Sequence, residues 1–398
     1  MSGAEETTLR VLMEPLVGGE SWFAGRRGES ESGVGMVEDP VTVWSVSLAG
    51  WRASWDRWLP EGVRVVQRGV WRMAEGRLNG AGLQALIDVL YGAGLPVEAG
   101  AIETTLAHHR TPDPVWCWGR TQRWSLDLSR PRIMGIVNVT PDSFSGDGLA
   151  GQVAAAIGRG VAMVEAGADL LDVGGESTRP GSLPVTTQEE LERVVPVVAG
   201  LAKVVTIPIG VDTSKPEVMH AALAAGAALI NDVTALRGSG LGEGGGEVAR
   251  WLAGEDAPVV LMHMAAPPEV MQSAPRYDDV VVEVYDFLAQ RLALAKSCGI
   301  RLLAVDPGIG FGKSLEHNLA LLRRRRVLRG LGVPLLLGFS RKRLLGELSG
   351  IERPVERDGV GHLLSVLTDA SVLRVHDVAG ARLALRVVEG YRRGQSVG

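Results

Sequence analysis

The chain of 398 residues carries 41 basic and 46 acidic side chains, a net charge of −5, and is 46% hydrophobic. That hydrophobic share supports a large core and excludes wholesale disorder. The near balance of charge gives no sign of a general nucleic-acid binder. Two cysteines, Cys117 and Cys298, are too few for a disulfide framework or a cysteine zinc cage, and they suit a reducing cytoplasm. No stretch reaches the roughly 18–20 uninterrupted apolar residues of a membrane helix. The acidic opening MSGAEETTLR also lacks the basic-then-apolar pattern of an export signal.

Composition shifts along the chain. Nine of the ten Trp precede residue 125, whereas all five Lys (203, 215, 296, 313 and 342) follow residue 200. The shift puts a boundary at residues 120–130, dividing an extension over 1–121, whose role the sequence does not reveal, from a second domain over 122–398. Within the extension, the Gly- and Glu-rich segment 17–40 reads as a loop. RVVQRGVWRM (64–73) reads as a strand, and GAGLQALIDVLYGAG (80–94) as a helix ending on Gly. A small α+β appendage is expected.

From Ile133 onward, apolar runs alternate with segments of helical period. The runs are 133–139, 169–175, 206–212, 228–232, 258–264, 302–308, 334–340 and 371–377, each rich in Val, Ile and Leu. Such runs are apolar on both faces, as strands of a covered parallel sheet must be. Helices are predicted over 152–166, 188–202, 215–225, 278–297, 314–326 and 378–392, with GLGEGGGE (240–247) a flexible insertion. Eight strands with intervening helices in about 260 residues match an α/β fold of the (β/α)8 TIM-barrel type. A doubly wound sheet usually needs fewer strands.

Nearly every run ends in polar residues: Asn138, Asp172, Asp212, Asn231, His263, Asp306, Ser340 and His376. Barrels place their chemistry at the C-terminal ends of their strands. The bland alternative is that polar residues simply end strands and cap helices, as Asp212 before Thr-Ser-Lys-Pro could, or form turns, as Asp306 before Pro could. Asp212, Asn231 and Asp306 can together pair with the edge of a flat heterocycle bearing N–H and amino groups. Lys342 in GFSRKR follows the seventh run, and Arg374 and His376, two apart, share one face of the eighth. That is where barrels commonly hold phosphate. The alternative for these cations is surface ion pairing, which is also the expectation for RRRR (323–326) as a solvated helix end. The long loops NVTPDSFSGDG (138–148) and GGESTRPGS (174–182) can close over a substrate. Asn138 supplies a hard amide oxygen suited to Mg²⁺ shared with substrate phosphates. Neither loop has the spacing of a nucleotide P-loop.

Residues 124–392 resemble bacterial dihydropteroate synthases through NVTPDSFS, DVGGESTRPG, VDTSKPEV, INDV, LMHM, DPGIGFGK, GFSRK and RVHDV, in family order. WSLDLSRP (124–131) resembles the hairpin segment that precedes the barrel in that family. The resemblance implies a transferase of folate biosynthesis that joins 4-aminobenzoate to (7,8-dihydropterin-6-yl)methyl diphosphate and releases diphosphate. It implies that Asp212, Asn231, Asp306 and Lys342 hold the pterin. Thr178, Arg374 and His376 would surround the diphosphate, with Asn138 on Mg²⁺. Phe144, Arg179, Pro180, Phe311 and Ser340 would line the aminobenzoate pocket, with the Lys342 stem as a wall. It also implies inhibition by sulfonamides and leaves a helix-mediated homodimer open, with no nucleic-acid or membrane partner. Two departures stand out: SFSGDG, with Gly146 and Asp147, replaces the usual SFSDGG, and the segment between Lys342 and Arg374 is short. Two other readings of a pterin barrel are a methyltetrahydrofolate-type methyltransferase and an inactive partner subunit. The first lacks the family's GGESTRPG and SRK segments, both present here, and the second would be expected to lose the Lys, Arg or His of the phosphate end.

Overall fold

The computed structural model describes residues 10–16, 43–49, 51, 53–60, 63–68, 71–111, 113–119, 123–139, 148–177, 182, 184–238, 244–273, 275–368 and 370–394. The extension is a four-stranded antiparallel sheet with two helices. Its strands are β1 (Arg10–Leu16), β2 (Val43–Ala49), β3 (Val63–Arg68) and β4 (Trp71–Asn79), ordered β1-β2-β4-β3, followed by α1 (Gly80–Gly92) and α2 (Pro96–Arg110). The run 64–73, expected as one strand, is two strands paired Arg68 to Trp71. Strand alternation sorts the side chains by face. Val11, Met13, Val46 and Leu48 pack with Leu83, Leu86, Leu90 and Ile102 of the two helices. Leu12 and Met73 point the other way and join the core of the second domain. The segment 17–40 lies outside the described residues.

A hairpin of β5 (Val115–Trp118) and β6 (Trp124–Asp127) follows. Trp116, Trp118, Leu126 and Leu128 pack on residues at or near the starts of the barrel strands, among them Met134, Leu170, Leu229, Val260, Ala304, Leu336 and Val372. The Trp118 indole also donates to the Ala228 carbonyl at 2.7 Å. The hairpin therefore plugs one end of the barrel, and chemistry is left to the other.

The barrel strands are β7 (Arg132–Asn138), β8 (Leu170–Gly174), β9 (Ile209–Asp212), β10 (Leu229–Asp232), β11 (Val259–Met262), β12 (Leu303–Asp306), β13 (Leu336–Leu337) and β14 (Val372–Val375). All eight expected runs are strands. They pair in parallel, β7 pairs β14, and a bridge between Val305 and Leu335 joins β12 to the short β13, closing the ring. Around it lie α3 (Gly148–Glu165), α4 (Thr187–Val204), α5 (Pro216–Ala225), α6 (Gly246–Glu255), α7 (Val280–Ser297), α8 (Leu315–Arg323), α9 (Arg343–Ser349), α10 (Asp358–Leu367) and α11 (Val378–Arg393). Side-chain caps fix where several begin. Thr186 and Glu189 form a capping box on α4, and Asp279, Ser314 and Asp377 cap α7, α8 and α11.

Two expectations need correction. The helix α6 starts inside the Gly-rich segment expected to be only a flexible insertion. RRRR is not a solvated end: Arg323 is exposed, but Arg325 is buried and donates to the carbonyls of Leu322 and Leu367. Among the described residues no helix is long and apolar enough to cross a membrane.

Candidate active site

The register of the barrel brings polar strand ends from distant parts of the sequence to one rim. Asn138 lies opposite Gly174, Gly174 opposite Asp212, and Asp212 opposite Asn231. Asp306 lies opposite Met262. At the centre stands Arg374. Its Nε donates to Asp172 Oδ2 at 2.6 Å and its Nη2 to Asp212 Oδ2 at 2.7 Å. Asn231 Nδ2 donates to the same Asp172 oxygen at 3.0 Å. Expected as a diphosphate ligand, Arg374 here spends two of its donors on carboxylates, and its remaining N–H groups are what an anion could use. In the sequence Asp172 stands only among the polar ends of the runs, with no partner or ligand assigned to it. It is fully buried, one of its oxygens has no partner, and it fixes both Arg374 and Asn231. Its signal was an acidic residue inside the apolar run LLDVG.

Across the mouth, Lys342 Nζ donates to the Ile309 carbonyl at 2.6 Å and lies 4.4 Å from the centre of the Phe311 ring, a cation–π contact. Asp306 Oδ1 accepts from the Gly308 amide at 2.7 Å, so Oδ2 is left for a ligand. A Cβ on Gly338 would sit 3.6 Å from Arg374 Cβ and 3.9 Å from that Oδ2, so the two groups flank one glycine. His376 Nδ1 lies 3.0 Å from Ser340 Oγ, joining the ends of β13 and β14. Of the predicted site residues, Asp212, Asn231, Asp306, Phe311, Ser340, Lys342, Arg374 and His376 thus cluster at one rim, with Asn138 at the end of β7. Phe144, Thr178, Arg179 and Pro180 lie outside the described residues.

Burial governs the electrostatics. It pushes Asp212 up to about 7, Arg374 opposing and Asp172 adding to the rise. It raises Asp306 too, against the pull of Lys342 and the Gly308 amide. Burial brings Lys342 down to about 8, with Asp306 opposing. For Arg374 burial is outweighed by Asp172 and Asp212, which hold its guanidinium above the usual value. The rim therefore presents carboxylates short of counter-charge, a suitable receptor for a ring bearing several N–H donors.

A second network, also missed from sequence, anchors the loop after β8. Lys215 donates to Glu176 at 2.7 Å and to the buried Glu190, and Glu176 accepts from the Val185 amide at 3.0 Å. A groove lined by Glu176, Ser182, Asp212, Thr234, Met264 and Pro267 runs from this anchor to the carboxylates.

A family profile described as "Pterin binding enzyme" matches residues 134–376. The dihydropteroate synthase of Escherichia coli K12 is 43% identical over 272 residues, spanning 67% of this chain and 94% of that protein. The solved dihydropteroate synthase of Xanthomonas albilineans with 4-aminobenzoic acid is 47% identical, with a TM-score of 0.62, and covers 72% of this chain and 100% of its own. The Yersinia pestis enzyme, solved as a sulfonamide drug complex, is 40% identical, with a TM-score of 0.64, over 70% of this chain and 100% of its own. The residues that the family profile matches take in the rim from Asn138 to His376. The chain belongs to the dihydropteroate synthase family of pterin binding enzymes.

Proposed function

We propose that this rim condenses 4-aminobenzoate with (7,8-dihydropterin-6-yl)methyl diphosphate to give 7,8-dihydropteroate and diphosphate. The observation that carries the reading is the convergence of Asp212, Asn231, Asp306 and Lys342 around Arg374 at one mouth of the barrel. Asp212 and Asp306 accept from the pterin ring and amino N–H groups, Asn231 and Lys342 complete the ring contacts, and burial strengthens each charged bond. The methylene C–O bond breaks ahead of attack, because the electron-rich pterin stabilises the cation left behind. The carboxylates support that positive charge, while His376, Thr178 and the free N–H groups of Arg374 receive the departing diphosphate. The arylamine nitrogen then forms the new C–N bond and gives up one proton, which the released diphosphate takes. It needs no strong base, since it is already nucleophilic. Phe311, Ser340 and the Lys342 stem, with Phe144, Arg179 and Pro180, orient it and exclude water.

The donor set fits a magnesium ion carried in by substrate. Asn138 offers one hard oxygen at the rim, half-buried, and among the described residues no three His, Cys, Asp or Glu group into a protein cage. Mg²⁺ prefers this arrangement, with few protein ligands and the rest phosphate and water. Asn138 would hold it, and when bound it neutralises charge on the leaving group. The chain also forms a homodimer. Leu383, Val387 and Tyr391 recur every fourth residue on α11 beside Leu363 and Leu367 of the adjoining α10, all exposed, an apolar face that a two-fold partner would cover. Its two free cysteines support work in a reducing cytoplasm.

The test is diphosphate release on mixing both substrates with Mg²⁺; release that fails to depend on 4-aminobenzoate overturns the reading. The pH profile is expected to be a bell. The pterin N–H donors need an ionised Asp212, so kcat/KM rises with pH through about 7. The Lys342 ammonium is lost above about 8, so the profile falls there. Asp212 faces Arg374, Asp172, Glu190 and Asp232, so the limbs are macroscopic values of the cluster. Asp212→Asn should flatten the acid limb and cost about 2–4 kcal/mol of pterin affinity, read by calorimetry. Sulfonamides should inhibit by competing with 4-aminobenzoate, visible as an apparent KM for aminobenzoate that climbs with drug while the pterin KM stays constant.

A further inference from the structure

The loop after β12, residues 307–313, lies between two lysines. Lys342 touches its outer side, through the Ile309 carbonyl and the Phe311 ring. Lys313 lies inside it, buried with 3% of its surface exposed. Its Nζ donates to the carbonyls of Gly308 and Phe311, each at 3.0 Å, and to His263 Nδ1 at 2.9 Å. Among the described residues no carboxylate pairs directly with it. A buried ammonium is costly unless its donors are satisfied, and here they are satisfied mostly by the loop's own backbone. The loop is shaped for this. Gly308 has φ +68° and a Cβ there would collide with the His263 carbonyl at 1.9 Å, so only glycine lets the chain fold back onto β11.

We propose that Lys313, with His263 as its acceptor, is a positioning residue of this site: it fixes from within the loop that holds Lys342 and Phe311. The inference rests on the condensation proposed above. Burial brings Lys313 down to about 7, with Asp306 opposing; as an ammonium it only donates, and in that form His263 Nδ1 accepts and the ring proton sits on Nε2. Burial, followed by the Lys313 charge, keeps that imidazole well below its usual pKa and neutral. The His263 ring is itself held edge-on against Phe287 at 4.9 Å and packed against Tyr277. The chain of contacts runs from α7 through His263 to Lys313, then through the carbonyls of 308 and 311 to the wall of the aminobenzoate pocket. Two nearby acceptors make the point sharper: Phe311 gives its carbonyl to Lys313 and its ring to Lys342, so one residue carries the coupling.

The two ends of the site should separate in a Lys313→Met variant. Asp212 and Asn231 hold the pterin from β9 and β10, whereas Asp306 and Lys342 hold it through contacts with this loop, so the pterin diphosphate Kd by calorimetry should rise, but by no more than about threefold. The aminobenzoate KM should rise about tenfold and kcat fall by a similar factor, the order expected when a pocket wall shifts by a fraction of an ångström. Hydrogen exchange of the amides 308–313 should accelerate together. If wild type makes no aminobenzoate-dependent diphosphate, the condensation reading fails; if wild type is active and the variant keeps its KM and kcat, the positioning role alone fails. Should Lys313→Met not fold, His263→Phe keeps the ring packing and removes only the acceptor, and a threefold or larger rise in aminobenzoate KM is expected. An unchanged KM, or loss of fold in both variants, overturns the proposal in favour of a purely structural lysine.

Discussion

Lys342→Ala is expected to lower kcat/KM by about 10²- to 10⁴-fold, the equivalent of roughly 3–5 kcal/mol, because a buried carboxylate loses a nearby cation and the substrate loses a contact. Lys342 has two functions that the structure separates by atom. Its ammonium faces Asp306 and lies over the Phe311 ring, and its stem stands against Gly310 as part of the pocket wall. Alanine removes both and leaves Asp306 with less compensation, so burial would drive that carboxyl further toward its neutral form. A neutral carboxyl turns one oxygen into a donor and accepts only weakly at the other, so it is a poorer partner for the pterin N–H groups. Lys342→Met keeps the stem and removes the charge. If the ammonium matters most, Met should be nearly as impaired as Ala. If the wall dominates, Met should recover the aminobenzoate KM while kcat stays low. Steady-state kinetics on both variants decides, and a kcat/KM within tenfold of wild type for Ala would count against placing Lys342 on the pterin.

The turn that presents Lys342 is also under constraint. Arg341 adopts φ 60°, a left-handed conformation that side chains rarely take. It is held there by a two-point ion pair, Nε to Asp358 Oδ1 at 2.9 Å and Nη2 to Oδ2 at 2.7 Å, and Arg357 donates to its carbonyl at 3.1 Å. The SRK segment is thus a strained elbow braced from α10, which explains how a lysine at the start of a short helix, α9, can be aimed into the mouth rather than into solvent.

Much of this was legible in the chain itself, for identifiable reasons. Strands covered on both faces must be apolar throughout, so the eight runs stood out, and the polar residues that ended them could not be explained by burial. Arg374 and His376 both lie at the end of the eighth run, but β14 stops at Val375, so the two-residue repeat of a strand does not itself orient His376. What the sequence hid were partners chosen by closure of the ring. Asp172 and Arg374 are 202 residues apart, and only the β7–β14 and β7–β8 pairings make them neighbours. The Lys215 and Lys313 anchors were hidden for a related reason. Lys215 is satisfied by carboxylates on other elements, and Lys313 by folded-back carbonyls of its own loop and by His263, whereas a lysine in sequence reads as solvated surface. Helix α6 escaped because its cap is a glycine in the left-handed region, Gly245, inside a stretch whose composition signals flexibility.

Deleting residues 1–112, so that the chain begins at Asp113, is expected to lower Tm by about 10 °C or more and to reduce soluble yield. The cut falls before Asp113 because Trp116 and Trp118 plug the barrel and Asp113 accepts from Ser371 at 2.7 Å. The extension is not attached merely by a linker. Leu12 and Met73, both fully buried, belong to the barrel's own apolar core, and at roughly 1.5–3 kcal/mol each their loss is substantial. On the second domain, the segment 325–331 that leads to β13 packs on α2. His108 Nδ1 lies 2.7 Å from the Gly330 carbonyl, and the His108 ring would be 2.6 Å from a Cβ on Gly332, so the backbone there is shaped to receive the helix. With the hydrogen bond worth about 1 kcal/mol, these contacts sum to about 5 kcal/mol, and each kcal/mol moves Tm by about 2–4 °C in a domain of 150–250 residues. Since Ser340 and Lys342 lie on the turn between β13 and α9, kcat should fall with stability. Calorimetry and diphosphate release on the truncated chain read both. A Tm within about 2 °C of the full chain, with kcat unchanged, would mean that the extension is a detachable module and that the core closes without it.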